Sequence, residues 1–417
     1  MFKKKWMLFA LFIGSVLMVL SACSSNDSDT SSGDSDGPLK VWGMGGEGEK
    51  LAVIAEDFEE ETGIEVDVQS LPWDNAKNKL LTAVASGDGP DVLQEPAGWI
   101  PEFAESNTYM DLSEFFGNED YPNLQEENFN ESAMESVKID DKIQAMPWFV
   151  AVNGLYYRSD LLDEVGYPNG PETQEDLIDA AKQLSERGDD QFGMGIPEKD
   201  FNMMFAAAAR QGWTFEESDG AENFKKPEFK AMFELYQEMF ENGYAPVQDQ
   251  GKEPMVGLQD GSLPMFISGP YMVDLINEQV PELEGQWNVK VLPVAENGDT
   301  YIGGTQLAIF HNSNKADKAA QFLDYMARPE TQVQWFEASY SLPAVNEAWE
   351  DPALADDEML SVFEEQMEKT QLAPSIPEYE QLGAELGNTM EKIARGAIDV
   401  DGAVEEFYQE AASILED

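Results

Sequence analysis

The chain has 417 residues, with 82 Asp and Glu against 25 Lys and Arg, a formal net charge of −57. Such a balance repels phosphates and anionic headgroups, which excludes a nucleic-acid ligand and polybasic attachment to lipid. One Cys and one His exclude an intramolecular disulfide, a Cys/His zinc site and most Ser-His or Cys-His nucleophile systems. Hydrophobic residues make up 42% and aromatic residues 11%, enough to build a real core despite the charge. The length fits two domains or one large one.

Residues 1–22 read as an export signal. Lys3, Lys4 and Lys5 precede an apolar stretch, Trp6–Leu20, shorter than the roughly 20 residues that span a bilayer as a helix. Residues 23–38 follow, rich in Ser and Asp and without an apolar residue after Cys23. They are expected to form a disordered tether. Without residues 1–22, which contain no acid, the net charge becomes −60.

From Leu39 the chain reads β-α-β. Leu39 and Val41 mark a strand, and Gly45-Gly46-Glu47-Gly48 reads as a loop. Leu51, Ile54, Ala55 and Phe58 recur at i, i+3, i+4, i+7, one face of a helix that Gly63 ends. Ile64, Val66 and Val68 alternate as a second strand, Pro72-Trp73-Asp74 opens a second helix, and Pro90-Asp91-Val92-Leu93 starts a third strand. Later strands are expected at Leu155–Tyr157, Met265–Ile267, Trp287–Val291 and Leu307–Phe310. Thr173-x-x-Asp176 has the form of a capping box before Leu177, Ala180, Ala181 and Leu184. Phe229, Met232, Phe233, Tyr236 and Phe240 mark another helix, and further helices are expected at 316–327, 359–369, 378–395 and 403–415. Alternating strands and helices imply an α/β fold with a mainly parallel sheet. Ligands of such sheets bind at the carboxyl ends of strands.

Two resemblances sharpen this reading. Leu20-Ser21-Ala22-Cys23 resembles the lipobox of bacterial lipoproteins. It implies cleavage before Cys23, a lipid on that Cys, and a body held on the outer face of the membrane. Second, an ordered set of segments resembles the bacterial extracellular solute-binding proteins of the sugar-transporter type (family 1, the maltodextrin-binding group). They are Leu39-Lys40-Val41-Trp42, Thr62–Val66, Pro72-Trp73-Asp74, Lys79–Gly87, Pro90-Asp91-Val92, Pro147-Trp148, Leu155–Leu161, Gly269-Pro270-Tyr271, Gly303-Gly304, Arg328–Thr331 and Leu342-Pro343. The resemblance implies a two-lobed, type II periplasmic-binding-protein-like α/β fold, with a hinge and an interlobe cleft. The lobes would be 39–150 plus 305–350, and 153–302 plus 352–417. It also implies capture of a sugar by lobe closure, delivery to the permease subunits of an ABC importer, no catalysis, no cofactor or metal, and a monomer.

A sugar needs aromatic faces and carboxylate or amide partners for its hydroxyls. The candidates after the first and third strands are Glu47, Gln94, Glu95 and Trp99. Trp148, Trp213 and Trp335 lie near loops or helix starts, where a Trp either stacks on ligand or packs in the core. Tyr271 stands where the family places a sugar-stacking Trp. Asn153 and Ala151 stand where many relatives carry an Arg and an acid. Asn202, Gly303 and Gly304 complete the set. Two other classes remain open: a binder of a cationic or zwitterionic solute such as a betaine, held in an aromatic cage, and a glycosidase using two carboxylates. The charge itself points to saline, halophilic surroundings, where salt screens self-repulsion.

Overall fold

The computed structural model describes residues 37–247 and 253–416. The expected signal peptide, Cys23 and almost all of the expected tether lie outside these residues.

The amino-terminal part follows the βαβ rhythm. Strand β1 (Leu39–Met44) leads into α1 (Gly45–Thr62), β2 (Val66–Leu71), α2 (Trp73–Ser86) and β3 (Val92–Pro96). Leu51, Ile54, Ala55 and Phe58 of α1 are buried, as their spacing requires. Residues 45–48, expected as a loop, form the first turn of α1. The junction is tight because both chains are glycine where they touch: a Cβ on Gly43 would lie 2.5 Å from the Gly48 Cα. No room is left for a loop between strand and helix.

The next strands cross between two sheets. Strand β4 (Met146–Ala151) belongs to the first sheet and β5 (Gly154–Tyr157) to the second, with Val152 and Asn153 between them. The second sheet is completed by β6 (Met265–Ser268) and β7 (Asn288–Lys290), and β8 (Gly303–Ile309) returns to the first. A short β9 (Leu342–Pro343) closes its edge. The six-stranded order is β9-β4-β8-β3-β1-β2, and the three-stranded order is β6-β5-β7.

Within the six-stranded sheet the expectation of parallel pairing holds for β1, β2 and β3; a separate short pair, Thr300–Tyr301 with Thr370–Gln371, is parallel as well. β8 runs antiparallel to β3 and β4, β9 is antiparallel to β4, and the second sheet is antiparallel throughout. The helical crossovers of the first three strands force parallel pairing. β8 arrives from the second sheet instead, so it enters the first from the opposite end. At this crossing Gly304 has φ +136°, and a Cβ there would stand 2.2 Å from the Phe149 carbonyl oxygen. The register between β8 and β4 also shifts at Thr305/Gln306.

Two hydrophobic clusters hold the body. One fills the six-stranded sheet and its helices, the other packs the helices of the second half. β5 serves both by simple alternation: Tyr156 faces the first cluster, Leu155 and Tyr157 the second. The second cluster is built from α3 (Gln174–Ser185), α4 (Phe201–Arg210), α5 (Pro227–Glu241), α6 (Tyr379–Ala394) and α7 (Val400–Glu416). The Thr173–Asp176 capping box is present with both of its hydrogen bonds, 3.1 and 3.2 Å. No helix among the described residues is long and apolar enough to cross a membrane.

Candidate functional site

A cavity of about 650 Å³ lies where the two sheets meet. The side of the six-stranded sheet contributes Glu47, Phe149, Val150, Tyr340 and Ser341. The other side contributes Glu198, Asp200, Met203, Ser268 and Tyr271, and the crossing residues Ala151 and Asn153 form the floor. A second cavity, about 320 Å³, borders the same Ala151 and Asn153 and is lined by Asn202, Gly303, Gly304, Tyr379 and Glu380.

Glu47 is placed by the first turn of α1 and by one buried amide. Gln94 is fully buried on β3. Its Oε1 accepts from the Met44 N–H at 2.7 Å, which leaves its Nε2 to donate to Glu47 Oε2 at 2.6 Å. That chain of bonds fixes the carboxylate at the cavity edge. Burial pushes the Glu47 carboxyl above its ordinary value, against the opposing pull of the Gln94 bond and the Lys50 charge.

Tyr271 presents an open ring, 49% exposed. Its hydroxyl accepts from Ser268 Oγ at 3.0 Å. The turn that carries it is held from below, because the Tyr156 hydroxyl donates to the Gly269 carbonyl at 2.7 Å. Asp200 caps α4, accepting from the Met203 N–H at 3.3 Å. Burial raises its carboxyl too. In the second cavity the Tyr379 hydroxyl donates to Asn202 Oδ1 at 2.9 Å, and burial raises the Glu380 carboxyl. Lys199, the cation on the large cavity's wall, is paired with Glu391 at 2.8 Å. The site thus offers acceptors, hydroxyls and an aromatic face. Among the described residues no group of three His, Cys, Asp or Glu is placed to hold a metal ion.

The structure therefore brings Glu47, Asn153, Asn202, Tyr271, Gly303 and Gly304 to the cavities, with Gln94 acting through Glu47. It does not bring the other expected residues there. Trp148 and Trp335 are fully buried and pack against each other, tilted by 35°, with centroids 4.2 Å apart. Phe149, packed against both, is the ring that reaches the cavity. Trp213 is fully buried against Phe205 and donates to the Asn223 carbonyl at 2.9 Å. Trp99 packs on Phe103 under Lys77. Glu95 is fully buried on the face of β3 opposite Gln94, and burial pushes its carboxyl well up. The Tyr109 hydroxyl approaches it without closing a hydrogen bond of good geometry. Asp200 and Glu198 are site residues that sequence reasoning passed over. Asp200 had a signal, an Asp directly before the apolar run of α4. Tyr340 and Ser341 had none.

A sequence profile of the bacterial extracellular solute-binding proteins matches residues 53–361. The chain is 24% identical over 425 residues to the galactooligosaccharide-binding protein of Bacillus subtilis, spanning 98% of this chain and 96% of that protein. It is 24% identical over 335 residues to the diacetylchitobiose binding protein DasA of Streptomyces coelicolor, 77% of each. The structure of the sugar-binding protein MalE from the phytopathogen Xanthomonas citri matches with a TM-score of 0.85 and 29% identity, over 91% of this chain and 98% of that one. Fold, cavity position and profile agree, and the chain belongs to the bacterial extracellular solute-binding proteins.

Proposed function

We propose that this protein is the substrate-binding component of an ABC importer that captures a sugar, an oligosaccharide by the size of its cleft, and hands it to a permease. The carrying observation is the cavity of about 650 Å³. Its walls come from both sheets, and its lining pairs the Glu47 carboxylate with the Tyr271 ring across the crossing strands. A ligand touching both walls stabilises the closed form by its differential affinity for that form. Relatives named for galactooligosaccharide and diacetylchitobiose binding support the substrate class. The lobes in this reading are 39–150 plus 305–350 and 153–302 plus 352–417, and the protein works as an extracellular monomer without turnover. A lipid on Cys23 tethers it to the membrane, a reading supported by the Leu20–Cys23 motif alone.

Melting the pure protein with a panel of oligosaccharides and a betaine tests the reading. A ligand at 100 times its dissociation constant stabilises by about 2.7 kcal/mol, a clear rise in melting temperature. A rise with betaine and with no sugar would replace the sugar reading. Sustained release of reducing sugar would make it an enzyme.

A further inference from the structure

Three cationic side chains are buried among the described residues: Arg158 and Arg210 at 7% exposure and Lys315 at 8%. Two have partners. Arg158 pairs with Asp160 at 2.6 Å and donates to the Leu258 carbonyl at 2.9 Å. Lys315 pairs with Asp91 at 3.0 Å and donates to the Pro38 carbonyl at 2.8 Å. Arg210 has neither. Its Nε is buried without a hydrogen-bond partner, and among the described residues no carboxylate or carbonyl accepts from its guanidinium. Its position at the end of α4 lets the negative end of the helix offset part of the charge. An isolated buried cation is costly all the same. The chain has 82 acidic residues, yet among the described residues none pairs with Arg210; the nearest acidic influence is the Asp200 charge, which reaches the neighbouring Tyr236 hydroxyl.

Arg210 lines a small space of about 20 Å³. That exceeds the roughly 10–15 Å³ that one water-sized sphere needs. It has room for one water-sized particle or a small ion. Leu177, Met194, Met239 and Tyr236 line it as well, and none of its lining residues is acidic. Burial pushes the Tyr236 hydroxyl far above its ordinary range, with the Arg210 charge pulling it down and the Asp200 charge adding to the rise. The space thus joins a fixed cation and a phenol to soft apolar walls. Residues 195–197, Met203 and Ile267 border both this space and the large cavity.

We propose that this space is a binding site for a small monovalent anion of the halide class, with Arg210 as its cation, set directly behind one wall of the cleft. Occupancy neutralises Arg210 and braces the wall segment 195–197 that the cleft uses. The proposal is independent of which solute the cleft takes.

The test uses the whole secreted chain in sodium chloride, bromide and isethionate at equal ionic strength, since isethionate is too bulky to enter. Chloride and bromide should raise the melting temperature above isethionate by roughly 2 °C per tenfold rise beyond the dissociation constant. That excess should vanish in Arg210→Met. Crystals soaked in molar bromide should show an anomalous peak within hydrogen-bond reach of the Arg210 guanidinium. Equal melting of the wild type in all three salts, or a bromide map without that peak, overturns the proposal. The wild-type map decides by itself where Arg210→Met does not fold.

Discussion

Replacing Glu47 with Gln removes the charge that the first turn of α1 places at the large cavity while keeping the side chain's size. Gln94 Nε2, 2.6 Å from Glu47 Oε2, still finds an acceptor in the new amide, so the fixed geometry survives. The charge and one acceptor oxygen are lost. Hydrogen bonds to a charged group contribute about 1.5–3 kcal/mol and those between neutral groups about 1 kcal/mol. A ligand hydroxyl that donates to the Glu47 carboxylate would lose its partner outright where the amide nitrogen replaces an oxygen. The dissociation constant should then rise about 10- to 150-fold, read by calorimetric titration at pH 7 with the best oligosaccharide of the melting panel.

Stability should move the other way. The folded Glu47 carboxyl titrates above its ordinary value of 4.5, because burial outweighs the Gln94 bond. Between these two values the folded chain holds more protons than the unfolded one. Unfolding free energy therefore falls as pH rises through that window, and the ionised group destabilises the empty protein at neutral pH. Glu47→Gln should make the ligand-free protein more stable to urea at pH 7, with the gain fading in acid. Wild-type affinity should weaken toward acid as Glu47 takes up a proton, and the variant should depend less on pH. A dissociation constant within threefold of wild type, or a less stable empty variant at pH 7, refutes the reasoning.

Tyr271→Ala should change stability by no more than about 0.5 kcal/mol, because the ring is half exposed, yet weaken sugar binding by calorimetry. Tyr271→Phe isolates the share of the hydroxyl on Ser268 from that of the ring. Gly304→Ala forces a Cβ to 2.2 Å from the Phe149 oxygen at a φ of +136°; urea unfolding should show a loss of at least about 2 kcal/mol. Lys315→Met strands buried Asp91 and should cost about 3–5 kcal/mol in the same assay. The melting temperature should climb with salt toward molar concentration, because the Debye length falls from about 10 Å at 0.1 M to about 3 Å at 1 M. A flat or falling curve would count against that reading of the charge.

Local signals in the sequence carried through. The i, i+3, i+4, i+7 set of α1 is buried, and the Thr173 capping box is formed, because both depend on neighbours within one or two turns. Strand direction beyond β3 was not legible. It depends on β8 returning from another sheet, which no local pattern encodes. The Trp residues failed for a related reason. Trp148 and Trp335 bury each other across a long stretch of chain, and a Trp near a loop looks the same in sequence whether it faces ligand or core. Gln94 and Glu95 were separable in principle. Adjacent strand residues face opposite sides, so only one of the pair can serve the cleft. Gln94 supports Glu47, and Glu95 turns toward Tyr109.

The acids of this chain divide by cost. An exposed carboxylate is hydrated, and screened where salt is present, so most of the 82 cost little. Glu47, Asp200 and Glu380 differ, because burial at the cavities raises all three above their ordinary values. Each disfavours the empty protein at neutral pH, and each is relieved by a ligand that brings hydrogen-bond donors. A sugar supplies hydroxyls in number. A betaine has no N–H or O–H to give, and in the large cavity its own carboxylate would meet those of Glu47 and Asp200. The rings on the large cavity's lining are Phe149, Phe266, Tyr271 and Tyr340, and Phe266 is buried beneath the surface. An open Tyr271 face beside raised carboxylates suits a polyhydroxylated ring better than a quaternary ammonium cage.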